Sequence, residues 1–207
     1  MDGASDRTDP PLLAGRLALL ERLGEGTFAE VWRVRDVGHA AAELALKIFR
    51  PEARGSHERP WSVVSDEARA ALYVPPHPNV IRAHALLTVR FFGELDTPAL
   101  LLDLASGPNL ALWLNQQQGA DPDAVSRRLA VLHGAIRGLA HVHAAGVAHC
   151  DLGFGNVLVS TSPLTGRLAD FGAAAVLREG ATPPRCVRRR EPHAFYPPAH
   201  AAPELAF

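Results

Sequence analysis

The hydrophobic pattern reads as short strands through the first hundred residues and then turns helical. Leu17 to Leu23 and Ala29 to Val37 are β-prone runs separated by Gly24-Glu25-Gly26, a hairpin signal. Glu43 to Phe49 predicts a third strand, with one lysine inside an apolar run. Trp61 to Val74 has helical spacing, with Val64, Ala68, Ala71 and Leu72 on one side. Pro75-Pro76-His77-Pro78 ends that helix, because proline cannot continue it and disfavours helix in the preceding residue. Val80 to Phe92 and Ala99 to Leu104 predict two more strands. Asn109 to Gln117 reads as a short helix and Asp121 to Ala145 as a long one, started by Asp121 or Asp123. Val125, Leu129, Leu132, Ile136, Leu139 and Val142 recur along the long helix every three or four residues and mark its apolar face. Val157 to Ser160 and Arg167 to Ala169 are short strands, and a Pro- and Arg-rich stretch without periodicity follows to Phe207. The expected organisation is a disordered leader over 1–15, a β-rich lobe over 16–104, and an α-rich lobe over 105–207.

Composition narrows the class. The 207 residues carry 21 Lys+Arg against 22 Asp+Glu, so nothing in the overall charge attracts nucleic acid or an anionic membrane. Any phosphate affinity must be local. Two cysteines, Cys150 and Cys186, give neither a disulfide framework nor a CxxC metal pair. The polar N-terminus has no apolar core of the signal-peptide kind. The most apolar span, around Leu129 to Ala148, is interrupted by Arg137 and several histidines and reads as an amphipathic helix. A cytoplasmic protein is expected, with neither nucleic acid nor membrane as a partner.

Six short motifs carry candidate chemistry. In Gly24-Glu25-Gly26-Thr27-Phe28-Ala29-Glu30-Val31, two glycines let the backbone approach a phosphate chain, although a Gly-x-Gly hairpin by itself is ordinarily just a turn. Lys47 sits among Leu44, Ala45, Leu46, Ile48 and Phe49, where a charge is costly unless it meets an anion; an edge-strand lysine facing water is the competing reading. Glu67, 20 residues on, could brace that lysine, with Asp66 as the rival choice. In His149-Cys150-Asp151-Leu152-Gly153-Phe154-Gly155-Asn156, an acid and an amide five residues apart on a tight loop could share one cleft. There the acid could take a proton from a hydroxyl and the amide oxygen could hold a metal ion. Asp170-Phe171-Gly172 lies 19 residues beyond Asp151, and Ala202-Pro203-Glu204 comes near the end.

In that order, these motifs resemble the signature of the eukaryotic-type, Ser/Thr-like protein kinase domain, from about Leu17 to Leu205. The resemblance implies an α+β, bilobal protein-kinase-like fold, with a β-rich N-lobe and a partial α-helical C-lobe ending after A-P-E. It implies ATP and Mg²⁺ as cofactors and a protein Ser/Thr hydroxyl as acceptor. Gly24, Glu25, Gly26, Val31, Ala45 and Lys47 would surround the nucleotide. Leu102 would stand at the gatekeeper place, and Asp103 and Ala105 would face the adenine edge. Lys47, braced by Glu67, would hold phosphates, Asp151 would orient and deprotonate the acceptor, and Asn156 and Asp170 would hold Mg²⁺.

Several positions depart from the family. Cys150 replaces an arginine that usually meets a phosphate on the activation segment, and Ala29 replaces the third loop glycine. Gly153 replaces a lysine that contacts the transferring phosphate, a loss of roughly 10²–10³ in rate if uncompensated. Between Gly172 and Ala202 only Thr182 and Tyr196 carry hydroxyls, and Arg185, Arg188, Arg189 and Arg190 form a basic cluster. The sequence stops three residues after Glu204, so the long helix is expected to lose cover that later family helices provide, favouring self-association or a partner. The alternatives to a protein kinase are a catalytically weak, pseudokinase-like binding module and a small-molecule phosphotransferase. Gly-Glu-Gly-Thr-Phe-Ala-Glu-Val, D-F-G and A-P-E argue against the latter.

Overall fold

A computed structural model describes residues 12–38, 42–50, 61–91, 93–117, 119 and 121–176. The basic cluster at 185–190, Thr182, Tyr196 and the A-P-E motif lie outside the described residues. The chain divides into two compact units: Met1–Glu58 with Ala85–Leu104, and Arg59–His84 with Ala105–Phe207.

The first unit is built on a six-stranded sheet. Its strands are β1 (Leu12–Leu13), β2 (Leu17–Glu25), β3 (Ala29–Asp36), β4 (Ala42–Phe49), β5 (Ala83–Phe91) and β6 (Glu94–Asp103), in the order β1-β2-β3-β4-β6-β5. Two differences from the sequence reading stand out. The expected leader is already paired at Leu12–Leu13, where the Leu13 side chain is buried. The strand expected from Val80 begins instead at Ala83, because Val80 and Ile81 bond to Leu168 in the second unit. Side chains alternate across β4. Leu46 and Ile48 join Leu17, Val34, Val89, Ala99 and Leu101 in the core. Ala45 and Lys47 therefore take the opposite face. Arg16 pairs with the buried Asp36 at 2.9 Å and ties the β1–β2 turn to the end of β3.

The second unit holds α1 (Trp61–Tyr73), α2 (Leu110–Gln116), α3 (Pro122–Ala144) and two small two-stranded sheets. One sheet pairs β7 (Val147–Ala148) with β10 (Ala175–Val176), neither of which the pattern revealed. The other is the hairpin of β8 (Val157–Thr161) and β9 (Leu164–Leu168). Asn109 caps α2 by accepting from the Leu112 amide at 2.9 Å. Asp121, not Asp123, caps α3 by accepting from the Ala124 amide at 2.9 Å, with Pro122 following at the first helical position.

The apolar stripe of α3, expected to lose cover, is largely exposed, with Val142 alone of its named residues fully buried. Val125, Leu129, Leu132 and Ile136 are exposed, Ile136 by 64%, while Ala124, Val131, Gly134, Ala135, Gly138 and Val142 are buried. Small residues win because the backbones approach too closely for large ones. A Cβ on Gly134 would lie 2.7 Å from the Gly166 amide nitrogen, and one on Gly138 would lie 3.1 Å from the Asn79 carbonyl carbon. Leu72, expected on the inner face of α1, is likewise 42% exposed, whereas Val64, Ala68 and Ala71 are buried as expected.

Candidate functional site

The residues singled out divide between the two units. In the first, β4 pairs with β3 and β6 so that Lys47 lies opposite both Val31 and Leu100, while Ala45 lies opposite Leu102. Cross-strand partners share a face, so Val31, Ala45, Lys47 and Leu102 stand together on the side away from the core. Gly24 extends the row, paired with Val31. Lys47 is half-buried, with its ammonium 5.6 Å from the Phe49 ring centroid. That excludes the lysine pointing from an edge strand into water, because β4 has neighbours on both sides. Gly24-Glu25-Gly26 forms the turn region between β2 and β3, closed by a Gly26 amide bond to the Ala29 carbonyl at 2.9 Å. Asp103 ends β6 opposite Leu44. Ala105 follows it in the chain and belongs to the second unit.

In the second unit the H-x-D-x-x-x-x-N loop runs from β7 to β8. The Asn156 side-chain amide donates to the Asp151 backbone carbonyl at 2.8 Å and to the Asp151 carboxylate at 2.9 Å. Both bonds use the nitrogen, which turns the amide oxygen of Asn156 away from Asp151. Asp151 and Asn156 are half-buried. Asp170 is held against this loop through its neighbour. The Ala169 amide donates to the Asn156 carbonyl at 2.8 Å, and the Ala169 carbonyl accepts from His149 Nε2 at 3.0 Å. Asp170 itself has φ 63 and Cys150 has φ 61. The left-handed region costs residues with a Cβ roughly 1 kcal/mol or more, so the surrounding bonds fix both positions. One carboxylate oxygen of Asp170 accepts from the Gly172 amide at 3.1 Å.

Glu67 is buried on α1 and Asp66 is exposed, which separates the two candidates. The Glu67 carboxylate lies against Gly172, 3.2 Å from where a Cβ would stand. A larger residue after Phe171 would press on that acid and force its carboxylate to shift.

Two residues important to this geometry carried no role in the sequence reading. His149 is buried, its ring 5.3 Å from Phe171, and burial lowers its pKa despite the Ala169 carbonyl and the Asp170 and Asp151 charges. Its only sequence signal was its place in the motif. Asn79 is buried and donates to Thr165 Oγ1 at 2.7 Å and to the Gly166 carbonyl at 3.0 Å, while its own carbonyl accepts from the Leu168 amide at 2.8 Å. It fastens the turn after α1 to the strand that leads into Asp170. Among the described residues no three His, Cys, Asp or Glu side chains converge as a ready-made metal cage. The donor set of one amide oxygen and one carboxylate suits a hard cation that keeps water and substrate phosphate in its shell.

A protein kinase domain model matches residues 17–206. The chain belongs to the protein kinase domain family. It is 31% identical over 207 residues to the serine/threonine-protein kinase PkaA of Streptomyces coelicolor, covering 94% of this chain and 35% of that protein. It is 36% identical over 172 residues to the DNA damage-responsive serine/threonine-protein kinase RqkA of Deinococcus radiodurans, covering 82% of this chain and 24% of that one. A rice CBL-interacting protein kinase 22 is 32% identical over 178 residues, 79% of this chain and 37% of its own length. This chain therefore spans 35% and 24% of the length of the first two relatives. Its β-rich and α-helical units agree with the fold expected from the motifs. No helix among the described residues is long and apolar enough to cross a membrane.

Proposed function

We propose that this domain transfers the γ-phosphoryl group of ATP to a serine or threonine hydroxyl of a protein. The observation that carries the reading is the pair of bonds from Asn156 to Asp151, which joins two half-buried residues and leaves the amide oxygen of Asn156 turned away from Asp151. Asp151 orients the acceptor hydroxyl and takes its proton. The bond from the γ-phosphorus to the β,γ-bridging oxygen breaks as the bond to the acceptor oxygen forms, and ADP leaves. Such a loose transition state asks mainly for placement and charge neutralisation. Lys47, on the face shared with Val31, Ala45 and Leu102, supplies positive charge to the phosphates. Leu102 and Asp103 supply the adenine edge, and Gly24, Glu25 and Gly26 the flap. Asn156 and Asp170 would hold Mg²⁺, which supplies charge neutralisation at the β- and γ-phosphates. The serine/threonine direction rests on the similarity to serine/threonine-protein kinases.

A second reading, a nucleotide-holding domain with slow transfer, draws on Gly153. Among the described residues, nothing beyond its chain neighbours lies within 4 Å of where its Cβ would be, and glycine brings no cation to that position. The test is a thermal shift with Mg²⁺ and ATP. The melting temperature should rise for the parent protein and stay flat for Asp170→Ala. A parent without a shift contradicts nucleotide binding and with it both readings.

A further inference from the structure

We propose that Arg50 is a positioning residue that sets the Gly24–Phe28 flap for nucleotide from behind, through Glu25 and Glu30. This rests on the kinase reading for what the flap covers. Arg50 directly follows β4 and holds the flap at several points. Its backbone amide donates to the Phe28 carbonyl at 2.9 Å. Its guanidinium donates to the carboxylates of Glu25, between the two flap glycines, and of Glu30, where the distance is 2.7 Å. Glu30 is a fixed anchor. It is only 6% exposed, and its other oxygen accepts from Trp32 Nε1 at 2.9 Å. Arg22 supports the same cluster, 2.9 Å from Glu25 and 3.8 Å from Glu30. The paired charges lower the Glu25 pKa, first through the Arg50 hydrogen bond and then through Arg22.

The face matters. Glu30 lies opposite Ile48, a core-facing residue, whereas Val31 lies opposite Lys47. The Arg50 cluster thus braces the flap on the side away from Lys47, so Arg50 acts on nucleotide through the flap and not as a phosphate ligand. A glycine-flanked turn is otherwise costly to order, and ordering it before nucleotide arrives removes that cost from binding.

Arg50→Gln and Glu25→Gln are compared with the parent, with Arg50→Lys as the charge-preserving rescue and Arg35→Gln as a control on β3. Glu25→Gln leaves the Arg50–Glu30 pair in place, so it keeps the test alive if Arg50→Gln folds poorly. Hydrogen exchange is read at the Glu25 to Phe28 amides without nucleotide, and KM for MgATP and kcat are read separately. Exchange is expected to quicken in both glutamine variants. KM is expected to rise roughly three- to tenfold with kcat within about twofold, because exposed pairs are individually weak and Arg22 still reaches Glu25. The double variant should fall short of the product of the two single effects, because both remove the Arg50–Glu25 bond, and Arg50→Lys should recover part of the loss. Unchanged exchange overturns the clamp. Quickened exchange with unchanged KM, or a fall in kcat and melting temperature alone, overturns the positioning role. A parent that binds no nucleotide overturns the kinase reading and the positioning role with it, while the exchange data still decide whether the clamp exists.

Discussion

Asn79→Ala should be among the most damaging single changes in the second unit, and its cost can be worked from its bonds. The side-chain amide donates to Thr165 Oγ1 and to the Gly166 carbonyl, in a position that is 5% exposed. Each lost bond costs about 1 kcal/mol, and a carbonyl left unpaired in a buried place adds about 1 kcal/mol or more. The sum is about 3 kcal/mol. At about 2–4 °C per kcal/mol for a domain of this size, the melting temperature should fall by about 6–12 °C. Urea denaturation followed by circular dichroism should show a lower midpoint with an unchanged slope. Asn79→Asp separates hydrogen bonding from volume. It keeps the shape, loses both donations and sets a carboxylate against the Gly166 carbonyl, so it should be at least as damaging as alanine. The exposed Asn115→Ala should stay within about 0.5 kcal/mol of the parent. An Asn79→Asp protein as stable as the parent, or a loss below about 1 kcal/mol for Asn79→Ala, would refute the reasoning.

Stability should fall in mild acid. Burial lowers the pKa of His149, and burial, then His141 and Arg137, lower that of His77, both from an ordinary 6.5. His77 Nδ1 accepts from the Asn79 amide at 3.2 Å, and its ring stacks on His141 at 4.4 Å, so a proton there breaks a bond and meets positive neighbours. The unfolded chain takes up these protons first. Stability should therefore be full above pH 6.5, decline as pH falls through that value and level off below the folded pKa values. Urea midpoints at pH 7.5 and 5.5 check this, and His77→Gln should flatten part of the slope. Gly138→Ala should destabilise by about 1–3 kcal/mol by forcing α3 off the Asn79 backbone, despite a gain in helix propensity of about 1 kcal/mol; a stabilised variant in a thermal melt would contradict the close approach. Ile136→Lys, on the exposed stripe of α3, should change the melting temperature of the domain by no more than about 2 °C.

Much of this was legible in the sequence because the motifs are local. A lysine in an apolar strand, an acid and an amide five residues apart, and a Gly-x-Gly turn each declare themselves within a few positions. The strand register then places Val31, Ala45, Lys47 and Leu102 on one face, which period-two alternation already implies for Ala45 and Lys47. What was not legible depends on contacts distant along the chain. On α3 the periodicity of large apolar residues marked the stripe that lies exposed, but not the small-residue face that packs. Gly134, Gly138 and Gly166 decide the packing, and glycine contributes nothing to a hydrophobic count. Asn79 carries no local signal, because its partners lie 86 and 87 residues away. The two-residue strands β7 and β10 are too short to carry any pattern. The Arg50 cluster joins charges 20 and 25 residues apart that read singly as solvated surface.

Phosphoryl transfer in Asp151→Ala tests the central claim most directly. The parent protein, given radiolabelled ATP, Mg²⁺ and a generic protein acceptor, should label serine or threonine in that acceptor. Asp151→Ala should lose the labelling by at least about 10²-fold while the melting-temperature rise with MgATP persists, since a positioned base typically contributes 10²–10⁴ in rate and little to nucleotide affinity. Equal labelling by the parent and by Asp151→Ala would contradict the account.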